Sequence, residues 1–228
     1  MNTIDTIPYQ ALSDPQGRTN NCTIVCNLDD EATTHLLKRI AGIDDSDNYT
    51  QQFTNEDSSL VPYGFFFKKG ILLANLSLME NITLPYNYYY HEMDLPALEK
   101  DIGKWVSFFK LNIDLQERPA MVSVSVQKMI SYIRTILLKP DVYILDDPYF
   151  QISNIYKKKI IYCLAILKEN KKMMIIGTTD IEIITALADE IIVVSCGEVV
   201  FHQSTVTFDK SIMIENATTC LNRLLNEL

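Results

Sequence analysis

A mostly parallel α/β sheet interrupted by a helical insert is the fold that this 228-residue sequence predicts. Three observations carry it. Short continuous apolar runs, VYIL (142–145), MMII (173–176) and IIVV (191–194), alternate with helix-patterned stretches near 153–168 and 181–189. Strands that are apolar on both faces belong to parallel sheets covered by helices on each side. A further strand at 23–28 runs into a helix at 30–41, and a long helix-rich middle at about 72–138 separates it from the βαβαβ pattern.

In chain order, the first helix stops at Gly42, a residue that commonly ends helices. Residues 43–59, IDDSDNYTQQFTNEDSS, are polar, acidic and without period, and read as a surface excursion before the apolar strand YGFFF at 63–67. Within the helical middle, Asp94 with Pro96 opens one helix and Ser123 opens another, each with suitable start chemistry. After Pro140 the strands and helices alternate; Cys196, Gly197 and Glu198 turn the chain into VVF, and an amphipathic helix ends at Leu228. One domain over 1–228, with a helical subdomain at about 72–138, is the expected organisation.

Composition narrows the function classes. With 47% apolar and 10% aromatic residues the chain can bury a core. A formal charge of -9 argues against nucleic acid as a partner, because neutralising phosphates needs clustered Lys and Arg. The one compact basic run, Lys157 to Lys159, reads as a solvated helix face. No apolar stretch reaches the roughly 20 residues of a membrane span, and MNTIDTIPYQ lacks a secretory pattern, so membrane association is expected through a partner. Cys22, Cys26, Cys163, Cys196 and Cys220 lack metal-ligand spacing and read as free thiols of a reducing compartment. The triplets beginning at Asn75 and Asn81 would accept glycans only in a secreted chain and read as chance.

Four stretches, in order, resemble the nucleotide-binding subunit of ABC transporters. VSVSVQKMISYIRTILLKPDVYILDDPY (122–149) is similar to the ABC signature helix running into Walker B, with Arg134, Pro140, Asp146 and Pro148 in register. MMIIGTTDIEIITALADEIIVVSCGEVVFHQ (173–203) resembles the switch region, matching at Thr178, Asp180, Leu187, Ala188, Asp189, Ile191 and Gly197. GFFFKKGILLANLSLMENITLPYNYYY (64–90) looks like the Q-loop stretch, and HLLKRIAG (35–42) like the helix after Walker A. The resemblance covers about 23–203 and implies a P-loop NTPase-like ABC ATPase fold; the wording at 75–85 is similar to subunits serving lipid transport, the Mla type.

The residues that the resemblance would assign to ATP chemistry are mostly replaced. A P-loop needs glycines that let N–H groups approach phosphate, a Lys for the β and γ oxygens and a hydroxyl on Mg2+. Counting back from Gly42, the loop is NLDDEATT (27–34): Ala32 replaces a Gly, Thr33 stands at the Lys, and Thr34 keeps the hydroxyl. Asp29, Asp30 and Glu31 bring three carboxylates to a polyphosphate site, and like charges at about 4 Å near a surface repel by roughly 4 kcal/mol before salt screening. The helix dipole behind them is expected to survive. Lys68 holds the Q-loop Gln position, Asp147 that of the catalytic Glu, Thr179 that of the switch His, and Ser153 that of the D-loop Asp. Thr34, Ser123 and Asp146 are the remnants of nucleotide binding, but Val124 and Ser125 replace the two signature glycines, and a branched Val124 obstructs phosphate. Ser123 also serves as a plain helix cap, and Asp146 with Asp147 as a plain strand end.

These replacements predict a non-hydrolysing ABC subunit, serving as a structural or regulatory partner that docks on the cytoplasmic face of an integral-membrane permease, with lipid as the cargo that the resemblance at 75–85 suggests. It would dimerise with itself or with another ABC ATPase subunit, without cofactor or metal of its own; ATP and Mg2+ enter only if the chain is instead a divergent but active ATPase. A third reading is a protein-binding module outside transport. The resemblance assigns permease contact to the Q-loop and the adjoining insert: Lys68, Leu72, Leu73, Tyr88, Tyr89 and Tyr90. Around them Leu76, Leu78 and Met79 add apolar surface, and aromatics favour interface hot spots.

Overall fold

A computed structural model describes residues 21–43, 63–89 and 95–227. The acidic excursion therefore lies, apart from Ile43, outside the described residues, as do Tyr90 and Asp94.

The first strand, β1 (Cys22–Asn27), is buried at every position and leads into α1 (Asp30–Ile40). After β2 (Tyr63–Phe66) come the helices of the insert, α2 (Leu78–Tyr89), α3 (Leu95–Phe109) and α4 (Val124–Leu137), with a short 3-10 turn at Pro119–Met121. Then follow β3 (Val142–Asp146), α5 (Asn154–Glu169), β4 (Met173–Gly177), α6 (Ile181–Leu187), β5 (Glu190–Ser195), β6 (Glu198–Ser204) and α7 (Lys210–Glu227). The strands form one sheet in the order β2-β3-β4-β1-β5-β6, parallel throughout except for β6, which pairs antiparallel with β5. The sequence-based fold class is the one observed and most boundaries agree to within two residues; the last strand runs to Ser204, beyond the VVF expected, and the first helix of the insert starts at Leu78 rather than near Leu72.

The two faces of the sheet separate by the period of two that strands impose. Along β1, Cys22, Ile24 and Cys26 point to the face covered by the insert and the C-terminal helices, and Val25 points to the other. That other face belongs to α1, whose Leu36, Leu37 and Ile40 pack on Val25, Ile144, Ile175 and Ile192. In the insert, Leu78, Ile82, Ile102, Phe109, Met129 and Ile133 share one core with the sheet. Each carries 0% exposure, so α2, α3 and α4 are bound to the sheet by burial of whole side chains, about 1.5–3 kcal/mol apiece. Among the described residues no helix is long and apolar enough to cross a membrane.

Candidate functional site

The carboxyl ends of the parallel strands, where open α/β sheets place their ligand crevice, hold the predicted residues. β1 ends at Asn27, and α1 begins only three residues later, at Asp30. The helix thus starts three residues before Thr33, leaving Leu28 and Asp29 as the whole connection. Asp29 has extended φ and ψ and is the N-cap: its Oδ1 accepts from the N–H of Glu31 at 2.9 Å and of Ala32 at 3.0 Å. Asn27 braces the cap by accepting from the Asp29 N–H at 3.0 Å. The surviving helix dipole expected from sequence is present, but its first turn is already satisfied by a carboxylate of the same chain. Thr33 is buried and its hydroxyl donates to the Asp29 carbonyl at 3.0 Å. Its methyl group lies against Gly177, where an added Cβ would come within 2.6 Å of Thr33 Cγ2.

Thr34 reaches the end of β3, donating to Asp146 Oδ2 at 2.8 Å. Asp146 is buried, which pushes its carboxyl up, against the Thr34 hydroxyl, the Lys68 charge and a backbone hydrogen bond from Lys68, all of which lower it. Lys68 also stands 4.8 Å from the centre of the Phe150 ring. Asp147 turns sharply out of β3 at φ 40°, with its N–H on the Gly177 carbonyl at 3.0 Å. An Asp in the left-handed region is tolerated better than most residues.

That turn is gripped from below by a lysine that sequence reading passed over. Lys128 of α4 is 1% exposed; its Nζ donates to the carbonyls of Asp147 at 2.8 Å and Phe150 at 2.9 Å. Burial lowers its pKa to about 8, while Asp147 and Asp146 act to raise it. Tyr132, one helical turn on, donates to the Pro148 carbonyl at 2.8 Å. The signal available in sequence was a Lys amid the all-buried run Lys128 to Ile133. Such a charge is tolerated only with partners in place.

Ser123 caps α4, accepting from the Val126 N–H at 3.3 Å, so the plain cap role holds. Val124 is 49% exposed at the first turn, and the Ser125 hydroxyl accepts from the Ser153 N–H at 2.7 Å. Thr179 is exposed, while Asp180 caps α6 through the N–H groups of Glu182 and Ile183. A cleft of about 290 Å³ gathers Asn27, Thr33, Lys68, Asp146, Asp147 and Thr179. Thr34, Lys68 and Asp146 border a second hollow of about 640 Å³. Ser123 is not among the residues that line either. Lys157 also lines the first, lying 4.8 Å over the Tyr149 ring, and Lys159 donates to the Phe108 carbonyl at 2.8 Å. Of the run Lys157 to Lys159, read as one solvated face, Lys158 is exposed and its two neighbours are half-buried, one against a ring and one on a carbonyl.

The predicted contact stretch divides. Leu78 is entirely buried, and Leu72 and Met79 pack partly against the core, so the expectation that these offer free apolar surface is corrected. Among the described residues of the stretch, Ile71, Leu73 and Leu84 are the exposed large aliphatics, at 49%, 46% and 39%. Tyr88 and Tyr89 lie in α2, their side chains outside the description.

No protein-family model matches this chain. Over 173 residues it is 24% identical to the sulfate/thiosulfate import ATP-binding protein CysA 2 of Agrobacterium fabrum, covering 73% of this chain and 51% of that protein. It is 23% identical to the spermidine/putrescine import ATP-binding protein PotA of Fusobacterium nucleatum, covering 73% and 45%. The chain spans about half the length of the curated relatives it matches. Among solved structures, the dimeric ATP-binding cassette MJ0796 in a post-hydrolysis state with ADP and Pi superposes with TM-score 0.69 at 20% identity, over 82% of this chain and 87% of that one.

The solved cassette holds ADP and Pi; here the first turn of α1 offers a phosphate fewer open N–H groups than an uncapped helix N-terminus would. The Asp29 carboxylate takes two N–H groups of that turn and Thr33 supplies no cation, while Thr34 and Asp146 keep a hydroxyl and a carboxylate 2.8 Å apart. The chain folds as an ATP-binding cassette, and 73% of its length is similar in sequence to the ATP-binding subunits of ABC importers.

Proposed function

We propose that this chain is a non-hydrolysing ABC subunit, a single domain that docks on the cytoplasmic face of an integral-membrane permease. It does so as a dimer, with itself or with a second ABC ATPase subunit. The observation that carries the reading is the Asp29 cap: an anion built into the chain occupies the N–H groups that a polyphosphate would need. Loss of the Lys at Thr33, and a Lys at position 68 beside Asp146, act in the same direction. Likeness to import subunits supports the permease as partner, since a cassette fold without turnover still offers its docking surface. That surface is read as Lys68, Leu73 and Tyr88 to Tyr90, joined by Ile71, with Leu72 turned to the core beneath them. A lipid cargo, suggested by the wording at 75–85, would come with a permease of lipid-transport type.

Capture of the tagged chain from detergent-solubilised membranes of its own cells, followed by mass spectrometry, tests the proposal. One integral-membrane protein should be retained in stoichiometric amount, its type naming the cargo class. Retention of soluble proteins alone would overturn the reading in favour of a binding module outside transport.

A further inference from the structure

The segment between β2 and α2 carries no regular structure, yet it is fixed at three points. At Gly70 it lies directly on the backbone of α4, where a Cβ would come within 2.8 Å of Lys128 Cα. One residue on, Arg134 of α4 donates from Nη2 to the Ile71 carbonyl at 2.9 Å. The third point is Asn81. Its side chain is 0% exposed and spends nearly all its hydrogen-bonding capacity on this segment. Oδ1 accepts from the Leu73 N–H at 2.7 Å, while Nδ2 donates to the carbonyls of Leu73 at 3.0 Å, Leu76 at 3.4 Å and Ser77 at 2.9 Å.

Between these points the side chains alternate. Ile71 and Leu73 stand in solvent and Leu72 turns towards the core. Other aliphatic side chains are as exposed elsewhere, Ile155 and Val206 among them; what sets Ile71 and Leu73 apart is that the backbone carrying them is irregular yet pinned by side chains on both sides. Presenting them in a fixed geometry lowers the ordering cost of binding.

We propose that Asn81, with Arg134 in support, is a positioning residue that holds Ile71 and Leu73 outward for the permease. The inference rests on the docking reading given above, and its test separates the two. Asn81→Ala should leave backbone amides of the sheet as slow to exchange as in the unaltered chain. Exchange at Leu73 should quicken by about tenfold or more, because its N–H loses the Asn81 Oδ1 acceptor while the segment loses its other bonds to the same side chain. The same variant should lose at least about tenfold in permease capture.

Ile82→Val thins the core under the same helix without touching the segment, and should keep capture at the parental level. Ile71→Ser with Leu73→Ser, which leaves Asn81 intact, should lose capture as Asn81→Ala does. This double variant decides the matter if Asn81→Ala fails to fold. Parental capture by a folded Asn81→Ala variant, or by the double serine variant, would overturn the inference and leave the docking proposal standing. Unchanged exchange at Leu73 would overturn it whatever the capture result. Failure of the unaltered chain to retain any membrane protein overturns the docking proposal and this inference with it.

Discussion

Two connections at the carboxyl edge of the sheet have diverged in opposite ways. The one after β1 has shrunk to Leu28 and Asp29, with its helix N–H groups tied to the chain's own carboxylate. The one after β2 is long, irregular and anchored by Gly70, Arg134 and Asn81, with apolar side chains facing outward. The first arrangement satisfies two helix N–H groups locally, which on the proposed reading leaves less for an anion; the second fixes the backbone while leaving two aliphatic side chains exposed. A fold under continued demand for partner contact and little demand for nucleotide would look like this. Packing of α1 on the sheet explains why the helix persists: Leu36, Leu37 and Ile40 belong to the buried core on that face.

The largest effect distinguishing the two regions should come from alkali. β1, which leads to the closed connection, carries Cys22 and Cys26, and with Cys163 these thiols are pushed up to about 12 by burial. Unfolded thiols ionise near 9, so above that pH the unfolded chain binds fewer protons than the folded one, and stability falls as pH rises towards 12. Lys128, under the second region, runs the other way. Its folded value of about 8 lies below the unfolded 10.5, so stability rises with pH between them. The phenols of Tyr132, Tyr143 and Tyr149, raised by burial, add to the loss, and Lys210 and Lys159, lowered by burial, oppose it with Lys128; the raised groups outnumber the lowered ones, so stability falls on balance between about 9 and 10.5. Urea melts across that range should move to lower denaturant, and Lys128→Met should steepen the loss by removing the opposing group.

Asp29→Ala tests the closed connection by itself. Loss of the cap should cost about 0.5–2 kcal/mol in chemical denaturation, with no effect on permease capture. If capture weakens as well, the two regions are coupled and the contrast drawn between them is too sharp. At the small end, Asp147→Glu and Thr179→His should each produce no phosphate release from ATP, since groups that act as a unit do not recover one at a time. Turnover after either single change would mean that the site is nearly intact.

Much of the fold could be read from sequence because continuous apolar runs fix parallel strands, and Ser123 and Gly42 sit where helices begin and end. The site was legible as a set of positions: Thr33, Thr34, Lys68, Asp146, Asp147 and Thr179 all converge on adjoining hollows. What those residues do there was not. Asp29 could be counted as a negative charge, but whether it repels a ligand or caps a helix depends on where α1 starts, which is a matter of one turn. Asn81 read as part of a chance glycan triplet because its partners, Leu73 to Ser77, lie in a segment without periodicity. Lys128 was hidden because a buried cation is defined by the carbonyls it meets, here those of Asp147 and Phe150, and those come from a turn about 20 residues away.

Calorimetric titration of the purified chain with Mg-ATP addresses the central claim most directly. With the N–H groups at the start of α1 held by Asp29 and no Lys at position 33, no saturable heat should appear at nucleotide concentrations up to about 1 mM. A dissociation constant in the low micromolar range would contradict the account and make the chain a divergent ATP-binding cassette that holds its nucleotide by other groups.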